Sequence, residues 1–262
     1  MYCCFSMAAI RILLTCEDFL PHVGGAEVCV ANLRRELRRR GHHVTLFTNM
    51  IERTEDEDGI VRVPWSFTPI GLLRNIRILW RLIGRHDLVH CQYSFRLAAL
   101  CAVIARLRRK PMLLTQQGKG IVPEAGTRFR HRVLVALCQR VAMGGAHRIT
   151  STSREITDLT ARFVPRAKIV DITNGYDAER FRPDSSLPLP AEFTRFPGVP
   201  KILTVRRLNP KNGIHILVQA LALVRDTAPF PFHYFAIGEG RVRDYIEQLI
   251  RDAGREPIER DT

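Results

Sequence analysis

The stretch from residue 10 to residue 48 decides the fold: IRILLTCEDFLPHVGGAEVCVANLRRELRRRGHHVTLFT. Its two short apolar runs, 10–16 and 43–48, are typical of buried strands. Between them, residues 25–40 place apolar side chains at 28, 30, 33 and 37, which is helical spacing, and Gly41 follows as a helix stop. A strand, a helix and a second strand in this order predict a right-handed βαβ unit and a parallel sheet.

The same alternation continues to about residue 173, so an α/β fold with a doubly wound, Rossmann-like sheet is expected. The predicted strands are 10–16, 43–48, 59–65, 88–92, 112–116, 147–151 and 168–173, and the predicted helices are 25–40, 70–84, 94–108, 128–143 and 153–163.

A Pro-rich segment, 182–200, then interrupts the alternation and is predicted to be a linker. A second α/β series follows, with strands at 201–206 and 232–237 and helices at 213–226 and 241–253. Two βα units cover about half of a Rossmann-like domain. The expected organisation is therefore a complete domain over 1–181, a linker over 182–200 and a partial domain over 201–262.

The composition is that of a globular protein, with 46% hydrophobic and 25% charged residues. It excludes a disordered tail, and the seven irregularly spaced cysteines exclude a disulfide scaffold and favour reduced thiols in the cytoplasm. No apolar run is long enough to span a membrane, and residues 1–16 resemble a first core strand more than a signal peptide. No metal-ligand spacing is present, and the acidic run 55–58 is expected to be a solvated loop.

The formal net charge is +14, and 35 of the 40 basic residues are arginine. Such a charge attracts a nucleotide, a nucleic acid or an anionic lipid without choosing among them. Within residues 70–87, Arg74, Arg77, Arg81 and Arg85 form one helical stripe flanked by leucines, isoleucines and Trp80. This pattern fits a helix at an anionic membrane surface, but a surface helix that packs its apolar side on the sheet is the favoured alternative. Nucleic-acid binding is not expected, because the basic residues lie in helices and loops without exposed aromatic partners.

Four loops are candidates for binding sites. Gly24 and Gly25 lie between a strand and a helix, where paired glycines allow backbone N–H groups to approach an anion; an ordinary turn is the alternative. Asn174 and Gly175 form a dipeptide that is also common in tight turns. The remaining two loops follow the two strands of the second series. The first contains Arg206, Arg207 and Lys211, which could clamp a diphosphate, and the second contains Gly238 and Gly240.

The order and spacing of these motifs resemble the family-4 glycosyltransferases of the GT-B fold. The resemblance runs from Arg11 to about Gly254 and is carried by P-x-x-G-G-x-E (21–27), G-H-x-V-T (41–45), D-L-V-H (87–90), N-G-x-D-x-x-x-F-x-P (174–183), R-L-x-P (207–210) and I-G-x-G (237–240). It implies two Rossmann-like domains, an acceptor-side one and a donor-side one, and sugar transfer with retention from a nucleotide-sugar to a glycan or lipid-linked acceptor. The nucleotide-sugar is a co-substrate, and neither a cofactor nor a metal is expected.

The resemblance also implies site roles. Arg207 falls on the position that binds the donor diphosphate, with Lys211 and Arg206 beside it, and Gly24 and Gly25 fall on the loop near the phosphates or the acceptor. The chain departs from the family pattern at Asn212, where Lys is usual, and at Gln117, where a His beside the sugar is usual.

The family's distal glutamate pair is also absent. The alternative is therefore a truncated, non-catalytic remnant that folds and binds membrane or acceptor without transferring sugar. The expected location is cytoplasmic, or peripheral on the inner face of the membrane.

Overall fold

The computed structural model describes residues 8–53, 58–64, 68–118, 129–184, 186–225 and 227–252. The chain divides into two compact units, 1–177 and 178–262, a division four residues before the predicted one at 181. The predicted element ends at residues 65, 128, 226 and 253 lie outside the described residues.

The first unit is built on a parallel seven-stranded sheet with strand order β3-β2-β1-β4-β5-β6-β7. This is the predicted α/β architecture, and β1 lies inside the sheet, with β2 and β4 as its two neighbours. The strands are β1 (Arg11–Cys16), β2 (His43–Thr48), β3 (Ile60–Arg62), β4 (Leu88–Gln92), β5 (Met112–Gln116), β6 (Arg148–Ser151) and β7 (Ile169–Asp171). The helices are α1 (Gly25–Arg39), α2 (Pro69–Arg85), α3 (Phe95–Leu107), α4 (Phe129–Gly145) and α5 (Arg154–Thr160).

The two faces of this sheet have separate cores because successive strand residues point to opposite sides. Ile12 and Leu14 of β1 pack with Val30 of α1 on one face. Leu13, between them, faces the larger core, which also contains buried side chains of α2, α3 and α4.

Several predicted boundaries need correction, among them the end of α4, which is Gly145 and not residue 143, and the start of the last helix, which is Arg243 and not residue 241; three others have a clear local cause. Helix α5 ends at Thr160 rather than at residue 163, since the chain turns there ahead of Pro165. A single 3₁₀ turn, Arg166–Lys168, then shortens β7 to three residues. Helix α2 begins at Pro69, one residue early, because the Thr68 hydroxyl accepts a hydrogen bond from the Gly71 N–H at 3.2 Å.

The second unit contains the parallel pair β8 (Lys201–Val205) and β9 (His233–Ile237) and the helices α6 (Ala191–Thr194), α7 (Ile214–Arg225) and α8 (Arg243–Asp252). Leu208, Ile214, Val218 and Ile246 form its small core. Helix α6 lies within the segment predicted as a linker, and Phe193 at this helix stacks on Phe235 of β9 with ring centroids 4.3 Å apart. The Pro-rich segment is therefore packed on the second unit.

No helix in the described ranges is both long enough and apolar enough to cross a lipid bilayer.

Candidate active site

The Gly24–Gly25 loop lies at the carboxyl end of β1. Gly24 is the buried N-cap of α1, and its carbonyl accepts a hydrogen bond from the Val28 N–H at 3.0 Å. Gly25 is exposed, and a Cβ atom added there would meet no atom within 4 Å. Packing thus does not demand glycine at 25, and the open space beside the helix N-terminus has room for an anion.

The Gly24–Gly25 loop is braced by two buried side chains, Glu27 of the quoted motif and Tyr93, and sequence reasoning missed Tyr93 and the contact between them. Glu27, in the first turn of α1, is completely buried. The Tyr93 hydroxyl, from the loop after β4, lies 3.0 Å from the Asp18 carbonyl oxygen and 3.3 Å from Glu27 Oε1. The P-x-x-G-G-x-E motif therefore has a structural glutamate beside its glycines.

Gln117 follows β5, and its amide is held from β4. Its Nε2 atom donates to Gln92 Oε1 at 3.2 Å. The Gln92 amide nitrogen in turn donates to His90 Nε2 at 2.9 Å, and Thr115 Oγ1 lies 2.7 Å from that same nitrogen. Burial of His90 lowers its pKa to about 4, so the ring is neutral at neutral pH, and the single lone pair of Nε2 accepts the bond from the Gln92 amide.

This polar network continues across the sheet, since Thr115 Oγ1 lies 2.7 Å from Thr150 Oγ1 on β6. Parallel register places Gln92 opposite Thr115 and Thr115 opposite Thr150. His90 thus has a structural role, as its position inside the sheet suggests. The sequence contained one indication of this network, since the otherwise apolar strands β4 and β5 carry the polar residues His90, Gln92 and Thr115 near their carboxyl ends.

Asn174 and Gly175 lie after β7 and are exposed. A Cβ atom at Gly175 would meet nothing within 4 Å. Asp177, three residues on, lies 3.7 Å from the Arg35 guanidinium of α1. β1, β5 and β7 all end at the same edge of the sheet, with one strand between each successive pair, so neighbouring strand ends in this set are roughly 10 Å apart along that edge.

A cavity of about 390 Å³ lies at the carboxyl ends of β6 and β7, lined by Ser151, Thr152, Ser153, Arg154, Arg166, Asp171 and Thr173. Hydrogen bonds from Thr157 and Arg166 lower the pKa of the Asp171 carboxyl, which is therefore ionised. Sequence reasoning did not select these residues, although the S-T-S turn after β6 is a recognisable polar signal.

In the second unit, the structure brings together the two loops that were predicted from sequence. The Arg206 N–H donates to the Ile237 carbonyl at 3.0 Å, and the Leu208 N–H donates to the Glu239 carbonyl at 2.8 Å. Gly238 and Gly240 have φ of +150° and +157°, and a Cβ atom on them would lie 1.9 Å from the Arg206 carbonyl oxygen and 2.1 Å from that of Leu208. Backbone contact between the loops therefore requires both glycines.

Asn212 ties this basic loop together. Its Nδ2 atom donates to the Arg207 carbonyl at 2.6 Å, across a 3₁₀ turn formed by Pro210–Asn212. Gly213 follows with φ of +71° and lets α7 begin at Ile214. The side chains of Arg207 and Lys211 are left exposed on either side of this bond.

Gly24, Gly25, Gln117 and Asn174 thus belong to the first unit, whereas Arg206, Arg207, Lys211, Gly238 and Gly240 belong to the second. The acceptor-side and donor-side roles that the resemblance implies for the two groups stay predictions. Among the described residues, no three His, Cys, Asp or Glu side chains group as a metal site would require. Of the acidic run 55–58, only Asp58 is described, and it forms an ion pair with Arg38.

Two curated relatives resemble the chain. It is 29% identical over 118 residues to alpha-monoglucosyldiacylglycerol synthase of Streptococcus pneumoniae, and this aligned region covers 40% of this chain and 26% of that protein. It is 25% identical over 265 residues to the GDP-mannose-dependent alpha-(1-6)-phosphatidylinositol monomannoside mannosyltransferase of Mycobacterium tuberculosis, covering 93% of this chain and 65% of that one. The chain thus spans less than two thirds of either relative.

Two solved structures show the same fold. A glycosyltransferase from Rickettsia africae aligns with a TM-score of 0.70 at 17% identity, covering 95% of this chain and 66% of that one. HepE from Anabaena, solved with UDP and glucose, aligns with a TM-score of 0.68 at 18% identity, covering 94% of this chain and 67% of that one. The predicted α/β, GT-B-like fold is thereby confirmed. The family model of Glycosyltransferase Family 4 matches residues 23–180, more than half of the chain, and the chain belongs to that family.

Proposed function

We propose that this chain carries the machinery of a retaining glycosyltransferase, which moves a sugar from a nucleotide-diphosphate sugar to a glycan or lipid-linked acceptor. Membership of Glycosyltransferase Family 4 supports the reaction class. The curated relatives are named as a glucolipid synthase and a phosphatidylinositol mannoside mannosyltransferase, which supports the donor and acceptor classes. The observation that carries the proposal is the basic loop 206–211, held at the carboxyl ends of β8 and β9 ahead of α7.

The donor diphosphate binds at this loop. Arg207 and Lys211 are exposed and carry no carboxylate partner that would compete with a phosphate among the ion pairs of the described residues. The bond from Asn212 to the Arg207 carbonyl and the backbone contacts of Gly238 and Gly240 hold the loop in one conformation. Fixed positive charge stabilises the negative charge that develops on the departing diphosphate, and it needs no metal ion to do so.

The acceptor and the sugar lie at the carboxyl edge of the first sheet. Gln117 Nε2 is engaged by Gln92, and its Oε1 atom, which has no hydrogen-bond partner among the described residues, accepts a hydrogen bond from a sugar hydroxyl. The open space at Gly25 receives a phosphate or an acceptor group, and Asn174 contributes an amide beyond β7. Gln117 does not titrate, so the proton of the acceptor hydroxyl leaves to the donor phosphate.

Helix α2 provides contact with an anionic membrane surface. Its four arginines at 74, 77, 81 and 85 are exposed, together with Leu73, which is 65% exposed. Trp80 is partly covered by the Arg108 guanidinium, 5.0 Å above the ring. A helix with this composition lies in the headgroup region, which would place the enzyme on the inner face of the cytoplasmic membrane.

The test is to incubate the purified chain with a panel of nucleotide sugars and to follow nucleotide-diphosphate release with glycan and lipid acceptors. Transfer should occur, should survive EDTA, and should fall about 100-fold or more in Arg207→Ala. The matched control, Arg251→Ala, removes an exposed arginine from α8 and should leave the rate unchanged. Nucleotide binding without transfer would instead identify the chain as a binding remnant, and equal losses in both variants would contradict the assigned role of Arg207.

A further inference from the structure

Helix α4 presents an apolar face to solvent on the side opposite to its packing contacts. Phe129, Val133, Leu137 and Val141 follow one another at four-residue steps and are all exposed, Phe129 by 79% and Leu137 by 55%. The buried residues of the same helix are Gln139, Ala142 and Met143. At about 100° per residue, the centres of the two sets lie on opposite sides of the helix axis. The apolar row is therefore not the side that forms the core.

Two arginines lie within the exposed row. Viewed down the helix axis, the angular position of Arg130 falls between those of Leu137 and Val141, and the angular position of Arg140 falls between those of Phe129 and Val133. Both arginines are exposed. The face thus combines long cationic side chains with apolar ones, and α4 itself contributes no carboxylate to it.

The excess of positive charge falls in the part of the sequence that includes this helix. Residues 59–154 contain 17 basic and two acidic residues, a net charge of +15, whereas the rest of the chain contains 23 basic and 24 acidic residues. Of the two acidic residues, Asp87 is paired with Arg11 at 2.7 Å, and Glu124 lies outside the described residues. Helices α2, α3 and α4 contain no Asp or Glu at all.

The three helices form one layer on one face of the first sheet, with α3 in contact with both α2 and α4. The outer side of α3 adds exposed Val103 and Leu107. The exposed face of α4 therefore belongs to a helical layer whose three helices carry no Asp or Glu, although, in addition to burial, Glu17 after β1 lies close enough to raise the pKa of the Cys138 thiol on α4.

We propose that the α4 face (Phe129, Arg130, Val133, Leu137, Arg140 and Val141) docks onto an anionic lipid surface. An anionic bilayer offers both partners that the face requires, phosphate groups for the arginines and an acyl boundary for the apolar row. A second copy of the chain would bring like charges together. A nucleic acid would leave the apolar row without a partner. This docking does not depend on sugar transfer and uses a different helix from the α2 contact proposed above.

The test is vesicle co-sedimentation of the complete 262-residue chain. Phosphatidylcholine vesicles are compared with vesicles that contain an equal share of phosphatidylglycerol, at low and at physiological salt. Binding should require the anionic lipid and weaken with salt. Leu137→Gln should lower the partition coefficient about fivefold or more, and Arg130→Gln about fivefold. Both side chains are exposed, so a thermal melt should show that both variants keep the wild-type stability.

Two controls make the result specific. Leu223→Gln alters an exposed leucine on α7 of the second unit and should bind like wild type. Leu73→Gln makes the same change on α2 and measures the contribution of that helix to vesicle binding separately.

Four outcomes would overturn the α4 proposal: no vesicle binding, equal binding to neutral vesicles, unchanged binding by Leu137→Gln, or a dimer in solution that Leu137→Gln dissociates. A loss confined to Leu73→Gln would assign the membrane contact to α2 alone. Because none of these measurements uses a sugar donor, their failure is distinguishable from failure of the proposed transfer activity.

Discussion

The amide of Gln117 is held by Gln92, whose Oε1 atom accepts its hydrogen bond at 3.2 Å, although the two residues lie 25 positions apart. This contact joins the end of β4 to the loop after β5. It orients the side chain of Gln117, which is uncharged and occupies the position where the family usually has histidine. Its partner Gln92 is almost completely buried and is itself held by His90. Gln92 therefore fixes the orientation of the Gln117 amide, and we expect it to act as a positioning residue if Gln117 contacts the sugar as proposed.

Gln92→Leu should free the Gln117 amide and lower kcat/KM for transfer about three- to tenfold, the worth of one neutral hydrogen bond. Nucleotide release kinetics at varied acceptor concentration would measure it. Gln116→Leu is the matched control, because Gln116 is equally buried but its amide has no hydrogen-bond partner in the part of the chain that the structure describes. That change should leave catalysis intact and keep or raise the free energy of unfolding. Equal activity in both variants would remove Gln92 from the positioning role.

The buried His90 should make stability depend on pH. Burial lowers its pKa from about 6.5 to about 4, so between these values the unfolded chain binds a proton that the folded chain does not. The free energy of unfolding should therefore fall as the pH drops from about 6.5 to about 4, by up to about 3 kcal/mol from this group. Urea unfolding at several pH values would show this slope. His90→Gln removes the titrating ring and should flatten the slope, whereas an unchanged slope would assign it to other groups.

The bond from Asn212 to the Arg207 carbonyl should matter for donor binding. Asn212→Ala should weaken binding of a nucleoside diphosphate about three- to tenfold, because the turn that carries Lys211 loses one hydrogen bond to the Arg207 backbone. Isothermal titration calorimetry would measure the affinity. The loss should be smaller than that of Arg207→Ala, which removes the charge itself. A larger loss from Asn212→Ala would mean that Asn212 contacts the ligand directly.

Gly238→Ala should destabilise the second unit. The added Cβ would lie 1.9 Å from the Arg206 carbonyl oxygen, so the two loops must separate, at a cost of about 2 kcal/mol or more. Gly175→Ala is the control, since a Cβ there meets nothing within 4 Å, and it should change the free energy of unfolding by less than about 1 kcal/mol. Hydrogen exchange of residues 201–252 would localise the effect. Equal stability of the two variants would contradict the close loop contact.

The sequence by itself determined the α/β class, the parallel sheet and the loops at the strand ends. Alternating apolar runs and helical periodicities leave only right-handed βαβ connections, and these place every strand-to-helix loop on one edge. Arg206, Arg207, Gly238 and Gly240 were found in this way, because glycine and cationic residues at strand ends are local signals. The boundaries that failed, at α5 and β7, depend on a turn at Pro165.

Only the tertiary structure decided which side chains meet and which faces stay open. The pairs Gln92–Gln117 and Asn212–Arg207 are hydrogen bonds whose partners periodicity cannot identify, since each depends on the register of neighbouring strands or on the path of a loop. Helix α4 is the clearest case, because its apolar residues are spread around much of its circumference. Its sequence does not say which apolar side is buried; packing against α3 buries Ala142 and Met143 and leaves Leu137 in solvent.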